Sequence, residues 1–121
     1  MKRDIELIRR ILLNIEEHGD LNEQEILSYG YDFITVATHV EMLQQAGYLD
    51  AKVHFAMGHV PMEIGYVRLT WSGRDFLDAC RSDNVWSKTK KVISDSVGTT
   101  TLEVLKQVCT KISHDLIMQQ L

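Results

Sequence analysis

DFITVATHVEMLQQAGYLDAKVHFAMGHVPMEIGYVRLTWSGRDFL, residues 32–77, is the stretch that decides the fold. Its first part has apolar residues at helical spacing, and Gly47 suits the left-handed turn that ends a helix. Two β-rich runs around a polar turn, residues 58–65, come next, and a second helical pattern begins near Thr70. The stretch therefore predicts a helix, a β-hairpin and another helix.

Two more helices are predicted before this stretch. Apolar residues at alternating spacings of three and four indicate a helix over residues 4–17. Asn22 and Glu25 form a capping box, which predicts a short helix that ends near Ser28. Asp32 can cap the third helix with its carboxylate. Three helices and a hairpin are the winged helix-turn-helix plan, so the predicted fold class is mainly α with a small β-hairpin.

The C-terminal part is predicted to be helical. One helix covers residues 70–81, and another extends from about Val85 to Ser96, with Gly98 ending it. We expect residues 1–83 to form the winged-helix domain. We expect residues 84–121 to be a C-terminal helical extension that packs on this domain as one globular unit.

The last predicted helix follows a second capping-box signature, Thr100 with Glu103. Its apolar residues step by three and four, as in a short coiled-coil seam. They are Leu102, Leu105, Cys109, Ile112 and Leu116. The seam predicts either packing on the chain's own first helix or a homodimer through the C-terminal helix, and the sequence leaves both open.

Charge divides the chain unevenly. The net charge is −4 over 121 residues. Residues 1–83 hold eight Lys and Arg against fourteen Asp and Glu, giving −6, whereas residues 84–121 hold five against three, giving +2. The third helix contains Asp32 and Glu41 and no Lys or Arg. A winged helix that binds DNA usually has a basic face, so this distribution argues against simple DNA binding.

Composition and motifs exclude several classes of protein. Hydrophobic residues make up 45% and charged residues 25%, which is typical of a globular domain. No stretch approaches the roughly 18 apolar residues of a membrane helix, and no signal-peptide pattern opens the sequence, so we expect a cytoplasmic protein with no membrane partner. Phosphate-binding loops and nucleophile motifs are absent from the sequence, so we expect no enzyme and no cofactor.

Cysteine and histidine residues do not predict a metal site. Cys80 and Cys109 lack metal-ligand spacing, and buried thiols are the expected state. His39, His54 and His59 do not form a close pair completed by another ligand type. We therefore expect no metal.

Two tryptophans and a group of basic residues each have a structural and a functional interpretation. Trp71 and Trp86 fall at predicted helix starts, where packing in the core is favoured over stacking on a ligand. The basic residues form either a strip outside the third helix or scattered solvated charges. They are Arg68, Arg74, Arg81, Lys88, Lys90 and Lys91.

Several parts of the sequence resemble a bacterial and phage family. They are the opening run of residues 1–8, then His39, Leu43 and Gly47, the run Leu-Thr-Trp-Ser-Gly-Arg-Asp-Phe-Leu-Asp at residues 69–78, and Val-Trp-Ser-Lys at residues 85–88. This family is the domain-of-unknown-function family (2513). The resemblance extends over nearly the whole chain and implies a mobile-element setting and a winged-helix-like fold. The Leu-Thr-x-x-Gly pattern of residues 69–73 is also similar to the PadR and MarR regulators, which are winged-helix repressors that dimerise through added helices.

Two functions follow from these patterns. The first is a DNA-binding regulator in which one set of side chains reads base edges and another holds phosphates. The base-reading set is Thr35, Thr38, His39, Met42 and Gln45, and the phosphate set is Lys52, Arg68, Lys88, Lys90 and Lys91. The alternative is a protein-interaction module, such as a phage factor that binds a host protein through Met42, Met57 and Met62.

Overall fold

A computed structural model describes residues 2–96 and 100–121. Its elements are α1 (Ile5–His18), α2 (Glu23–Ser28), α3 (Phe33–Gln45), β1 (Leu49–Ala56), β2 (Val60–Leu69), α4 (Trp71–Cys80), α5 (Asp83–Ser96) and α6 (Leu102–Met118). The described part is mainly helical with one antiparallel hairpin, which confirms the predicted fold class. The predicted helix end at Gly98 lies outside the described residues. The chain divides into two compact units, Met1–Arg74 and Asp75–Leu121.

The core of the first unit is built around α1. Most of its apolar stripe is buried, with Ile5 and Leu13 half-buried, and α1 packs against α2, α3 and β2. Each fully buried Leu or Ile contributes about 1.5–3 kcal/mol relative to an exposed side chain. The fully buried residues of α1 are Leu7, Ile8, Ile11 and Leu12. The first helix is therefore central to the core of this unit.

Side-chain caps set the helix starts in this unit. The Asn22 carboxamide accepts a 3.2 Å hydrogen bond from the backbone N–H of Glu25, as the capping box predicts. The Asp32 carboxylate accepts from the N–H of Thr35 at 2.8 Å and begins α3. Gly47, with a φ of 87°, provides the left-handed turn between α3 and β1.

The hairpin is longer than the sequence predicts. Its strands pair from Leu49 opposite Leu69 out to Ala56 opposite Val60, so most of the predicted turn, residues 58–65, belongs to β2. Pro61 stands opposite Phe55, where the register shifts. Proline is tolerated there because both strands of a two-stranded sheet are edges, and an irregular position needs no ladder N–H.

The second unit is held together by α5 and α6, which pack against each other. Trp86 is only 3% exposed, which confirms its predicted place in the core. Cys80 and Cys109 are buried thiols, as expected. Leu102 and Leu105 are buried, whereas Ile112 and Leu116 are only half-buried. The first part of the predicted seam is thus covered within the single chain, and dimerisation stays a prediction.

The start of α6 differs from the predicted capping box by one residue. Thr101, and not Thr100, is the N-cap: its hydroxyl accepts a 3.1 Å hydrogen bond from the N–H of Val104. Thr100 is buried instead, and its hydroxyl donates to the carbonyl of Thr101. The predicted cap at Thr100 is therefore wrong by one residue, since either threonine has a side chain that can cap a helix.

A helix that crosses a membrane has to be both long and strongly apolar, and the helices of the described residues provide the comparison. None of them meets both requirements.

Candidate functional site

The solvent-facing side of α3 carries most of the predicted base-reading residues. Gln45 is exposed, and Thr35, Thr38 and Met42 are half-buried. Ile34, which the sequence analysis did not select, is 55% exposed on the same helix. Apart from its two acidic residues, this helix therefore presents only hydroxyl, amide and apolar groups on that side.

The prediction that His39 contributes to this surface is wrong. The imidazole is fully buried. Its Nδ1 donates to the carbonyl of Thr35 at 2.8 Å, and its Nε2 accepts from the backbone N–H of Asp4 at 3.0 Å. Both ring nitrogens thus have hydrogen-bond partners inside the protein, as a buried imidazole requires. A helical wheel does not include partners from other elements, and it therefore assigns this side chain to the wrong side of the helix.

Internal partners engage both acidic residues of α3. Asp32 caps the helix, and the hydrogen bonds from Thr35 lower the pKa of its carboxyl below the usual value. One oxygen of Glu41, Oε1, accepts from Gln45 at 3.1 Å and from Nε2 of His59 at 2.9 Å. Both carboxylates thus have hydrogen-bond partners within the protein, and Asp32 is exposed to solvent.

His59 connects the tip of the hairpin to α3. Its ring stacks on Phe55 with the centroids 4.0 Å apart and the planes 11° apart. It also has a positive φ of 58°, an uncommon conformation for a residue other than glycine. The contact with Glu41 therefore holds the hairpin tip over the C-terminal half of α3.

The outer face of the hairpin brings Lys52 and Arg68 together. Buried and exposed residues alternate along β1, so Asp50 and Lys52 lie on the same face. Arg68 pairs directly with Asp50 across the sheet and shares that face. The guanidinium of Arg68 lies 5.6 Å from the ring centroid of Tyr66. The hairpin therefore holds two basic side chains on one exposed surface.

A cleft continues this surface at the junction of β2 and α4. Its volume is about 530 Å³. Arg74 faces the cleft with its guanidinium 6.0 Å from the centroid of Trp71. The lining residues are Asp50, Arg68, Leu69, Thr70, Trp71 and Arg74. Two arginines and an indole thus meet in one place, and we name this place the Trp71 cleft.

Trp71 contradicts its predicted place in the core, since its side chain is 84% exposed. The buried face of α4 contains Gly73, Phe76 and Leu77. At about 100° per residue, Trp71 lies roughly 200° around the helix from Gly73 and so points away from that face. Sequence reasoning missed this because a tryptophan is usually buried in large part.

The remaining predicted phosphate contacts lie in the second unit. Lys88, Lys90 and Lys91 are all exposed on α5. Lys88 and Lys91 are three residues apart and therefore share one side of the helix. Arg81 forms an ion pair with Asp78 at 2.8 Å. Arg81 follows the end of α4, and the three lysines belong to α5. These basic residues form a group separate in sequence from Lys52 and Arg68.

One cluster of ionisable groups was not predicted. His18 Nε2 lies 2.6 Å from Glu25 Oε2 and 3.9 Å from a Glu17 oxygen. Their ligand atoms lie within 4.8 Å of one another, a spacing that could hold a metal ion. Glu25 also accepts from the buried Asn14 at 3.1 Å, so the cluster already links α1 to α2 through hydrogen bonds. No sequence motif indicates it, because His18 and Glu25 lie on different helices.

Comparisons with known proteins identify relatives without an assigned activity. A family model described as "Hypothetical protein (DUF2513)" matches residues 2–100. An "Uncharacterized protein" of Haemophilus influenzae is 32% identical over 119 residues, which cover 97% of this chain and 99% of the relative. No solved structure matches the chain significantly.

Proposed function

Because the chain belongs to the DUF2513 family, whose description states no activity, we propose a function from its geometry: a non-catalytic winged-helix module that binds DNA. It acts as a cytoplasmic regulator of phage or other mobile-element origin. Its α3 faces a groove, and its hairpin and the start of α4 hold phosphates. The helix-helix-helix-hairpin order of the first unit supports this proposal by analogy of fold.

The observation that carries the proposal is the shared position of basic side chains outside α3. Lys52 and Arg68 occupy one face of the hairpin, and Arg74 lines the same cleft as Arg68. A helix without Lys or Arg needs such a strip nearby, because contacts to phosphates supply most of the affinity for DNA. Asp50 shares this face and stands opposite Arg68.

The charges of α3 also fit this function better than the sequence suggested. Asp32 and Glu41 are both engaged by internal hydrogen bonds, with His59 beside Glu41. Thr38 and Gln45 then remain as polar groups for base edges, and Ile34 is available for the methyl group of thymine.

Binding of mixed-sequence duplex DNA at two salt concentrations tests the proposal. We expect affinity to fall steeply with salt, and the Arg68→Ala and Lys52→Ala variants each to reduce the salt slope by about 1. Lys111→Ala is the matched control, since Lys111 is an exposed lysine paired with Asp115 on α6. No binding at about 50 mM salt would refute DNA binding, because nonspecific affinity is near its strongest there.

A protein-interaction module is the second candidate, and one observation favours it. Met57 at the hairpin tip is 95% exposed, and Met62 and Ile34 are exposed as well. Exposed methionines suit adaptable apolar contacts with a protein. A partner recovered from host lysate by the unmodified chain, lost with Met57→Ala/Met62→Ala and recovered without any retention of DNA, would replace the DNA proposal.

A further inference from the structure

We propose that the Trp71 cleft holds an unpaired base of single-stranded DNA, with the base on the indole and its flanking phosphates on Arg68 and Arg74. This inference rests on the proposed DNA-binding function and specifies a second form of DNA that the protein recognises. It starts from the exposure of Trp71, which duplex binding by α3 does not explain.

The indole offers a flat surface that no described residue covers well. Its side chain is 84% exposed, and Arg74 approaches at 6.0 Å from the ring centroid. A tryptophan buries roughly 150–250 Å² when it is covered, so an exposed indole lacks the large favourable free energy of that burial. A planar partner that stacks on the ring would recover it. Bases provide such a plane, and an aromatic ring accepts any of the four.

Charge defines the partner further. The indole shares its cleft with two guanidinium groups, those of Arg68 and Arg74. Arginine forms bidentate hydrogen bonds with phosphate, and in single-stranded sites a basic path beside stacking rings follows the backbone. Asp50 is the acidic residue of the cleft. It stands opposite Arg68 in the sheet and accepts a 3.4 Å hydrogen bond from Tyr66. With two guanidinium groups against one carboxylate, the lining of the cleft carries a net positive charge.

An unpaired base is required because the faces of paired bases are covered by their neighbours in a duplex. Proteins reach such a face only on single strands or after flipping the base out, which costs a few kcal/mol. Trp71 therefore cannot stack on an internal base pair of an intact duplex. The cleft and the α3 surface would thus respond to different DNA: single strands depend on Trp71, and blunt duplex does not.

The test compares a single-stranded oligothymidylate with a blunt duplex, using the full chain and its variants. We expect Trp71→Ala to weaken single-strand binding by about 5- to 150-fold, the loss of one base–aromatic stack. Trp71→Phe should retain most of the affinity. Arg74→Ala should reduce the salt slope on the single strand by about 0.7. Binding of the duplex should change little with Trp71→Ala.

Tyr29→Ala is the matched control, because Tyr29 is another exposed ring under a guanidinium, with Arg10 4.3 Å from its centroid. Fluorescence supplies a second readout. Trp86 is buried, so quenching by the oligonucleotide should come from Trp71 and disappear in Trp71→Phe. Circular dichroism melting confirms that the variants fold.

The outcomes separate this inference from the function on which it rests. Duplex binding with no single-strand binding, or single-strand binding that Trp71→Ala leaves unchanged, overturns the Trp71 site and leaves the proposed function standing. Thymidine monophosphate binding as tightly as the oligonucleotide also overturns it, in favour of a free nucleotide. If neither form of DNA binds at about 50 mM salt, both proposals fail.

Discussion

The backbone N–H of Asp4 donates a 3.0 Å hydrogen bond to Nε2 of His39. Asp4 is the N-cap of α1, where its carboxylate accepts from the N–H of Leu7. Since His39 also donates from Nδ1 to Thr35, one imidazole joins the start of α1 to the middle of α3. These partners assign the ring proton to Nδ1 and make the ring neutral. Two elements far apart in sequence are thus held at a fixed distance.

Replacing His39 should therefore damage the fold and not merely a binding surface. We expect His39→Ala to lower the free energy of unfolding by about 2–4 kcal/mol, because it leaves a cavity and a buried N–H without an acceptor. Urea denaturation measures this loss. Gln44→Ala, an exposed change on the same helix, should alter stability by less than about 0.5 kcal/mol. Equal effects of the two variants would contradict the buried bridge.

Gly73 has a role that no other residue can fill. A Cβ built there would lie 2.0 Å from the carbonyl oxygen of Tyr48. Alanine normally stabilises a helix by up to about 1 kcal/mol relative to glycine, but here we expect Gly73→Ala to destabilise the protein by more than about 2 kcal/mol. Thermal unfolding measures the stability of Gly73→Ala, with Ser72→Ala at the exposed neighbouring position as the control. A stabilised Gly73→Ala variant would show that α4 does not contact the backbone of Tyr48 this closely.

Asp32 should make α3 sensitive to acid. Hydrogen bonds from Thr35 lower the pKa of its carboxyl below the ordinary 3.8. Because the folded-state pKa is lowered, the hydrogen bonds to the ionised Asp32 carboxylate stabilise the folded protein above the unfolded pKa. This stabilisation is lost as the pH falls through the folded pKa. Asp32→Asn keeps a capping oxygen and should remove this acid dependence, whereas Asp32→Ala should lose the cap at every pH. Unfolding by urea at pH 7 and near pH 3 compares them.

Glu23 should show the opposite pH dependence. Burial, followed by repulsion from Glu63, raises the pKa of its carboxyl above 4.5. Because the pKa of this carboxyl is raised, the folded state binds its proton more tightly than the unfolded state does. The free energy of unfolding therefore decreases as the pH rises through the unfolded and then the folded pKa. We expect Glu63→Gln to stabilise the protein at pH 7 by less than about 0.5 kcal/mol, because solvent screens this mostly exposed pair. Little or no gain should be seen near pH 3, and a larger gain there would contradict the repulsion.

Local patterns predicted much of the fold. Asn22 and Asp32 cap their helices through their own side chains, and Gly47 adopts the left-handed turn. These features involve residues a few positions apart, so the necessary information is contained in short stretches of sequence. The same reasoning chose Thr100 at the start of α6 and was wrong, because Thr101 beside it also has a hydroxyl and is the N-cap.

The candidate site was predicted only in part. Lys52 and Arg68 were selected from sequence, but their common face follows from strand pairing, and the Trp71 cleft from the junction of β2 with α4. His18 and Glu25 meet through the packing of α1 on α2. Such contacts depend on which elements become neighbours in space, and residue periodicity within one element does not contain that information.

The sequence by itself determined the order of helices and strands, the caps that begin α2 and α3 and the uncharged character of the α3 surface outside its two acids. Each depends on side chains acting within a turn or two of their own position. Only the tertiary structure decided that His39 is buried and Trp71 exposed. A helix has one periodicity, but its neighbours decide which face they cover: the N-terminus of α1 covers His39, and contact with the Tyr48 carbonyl turns Gly73 inward and Trp71 into solvent.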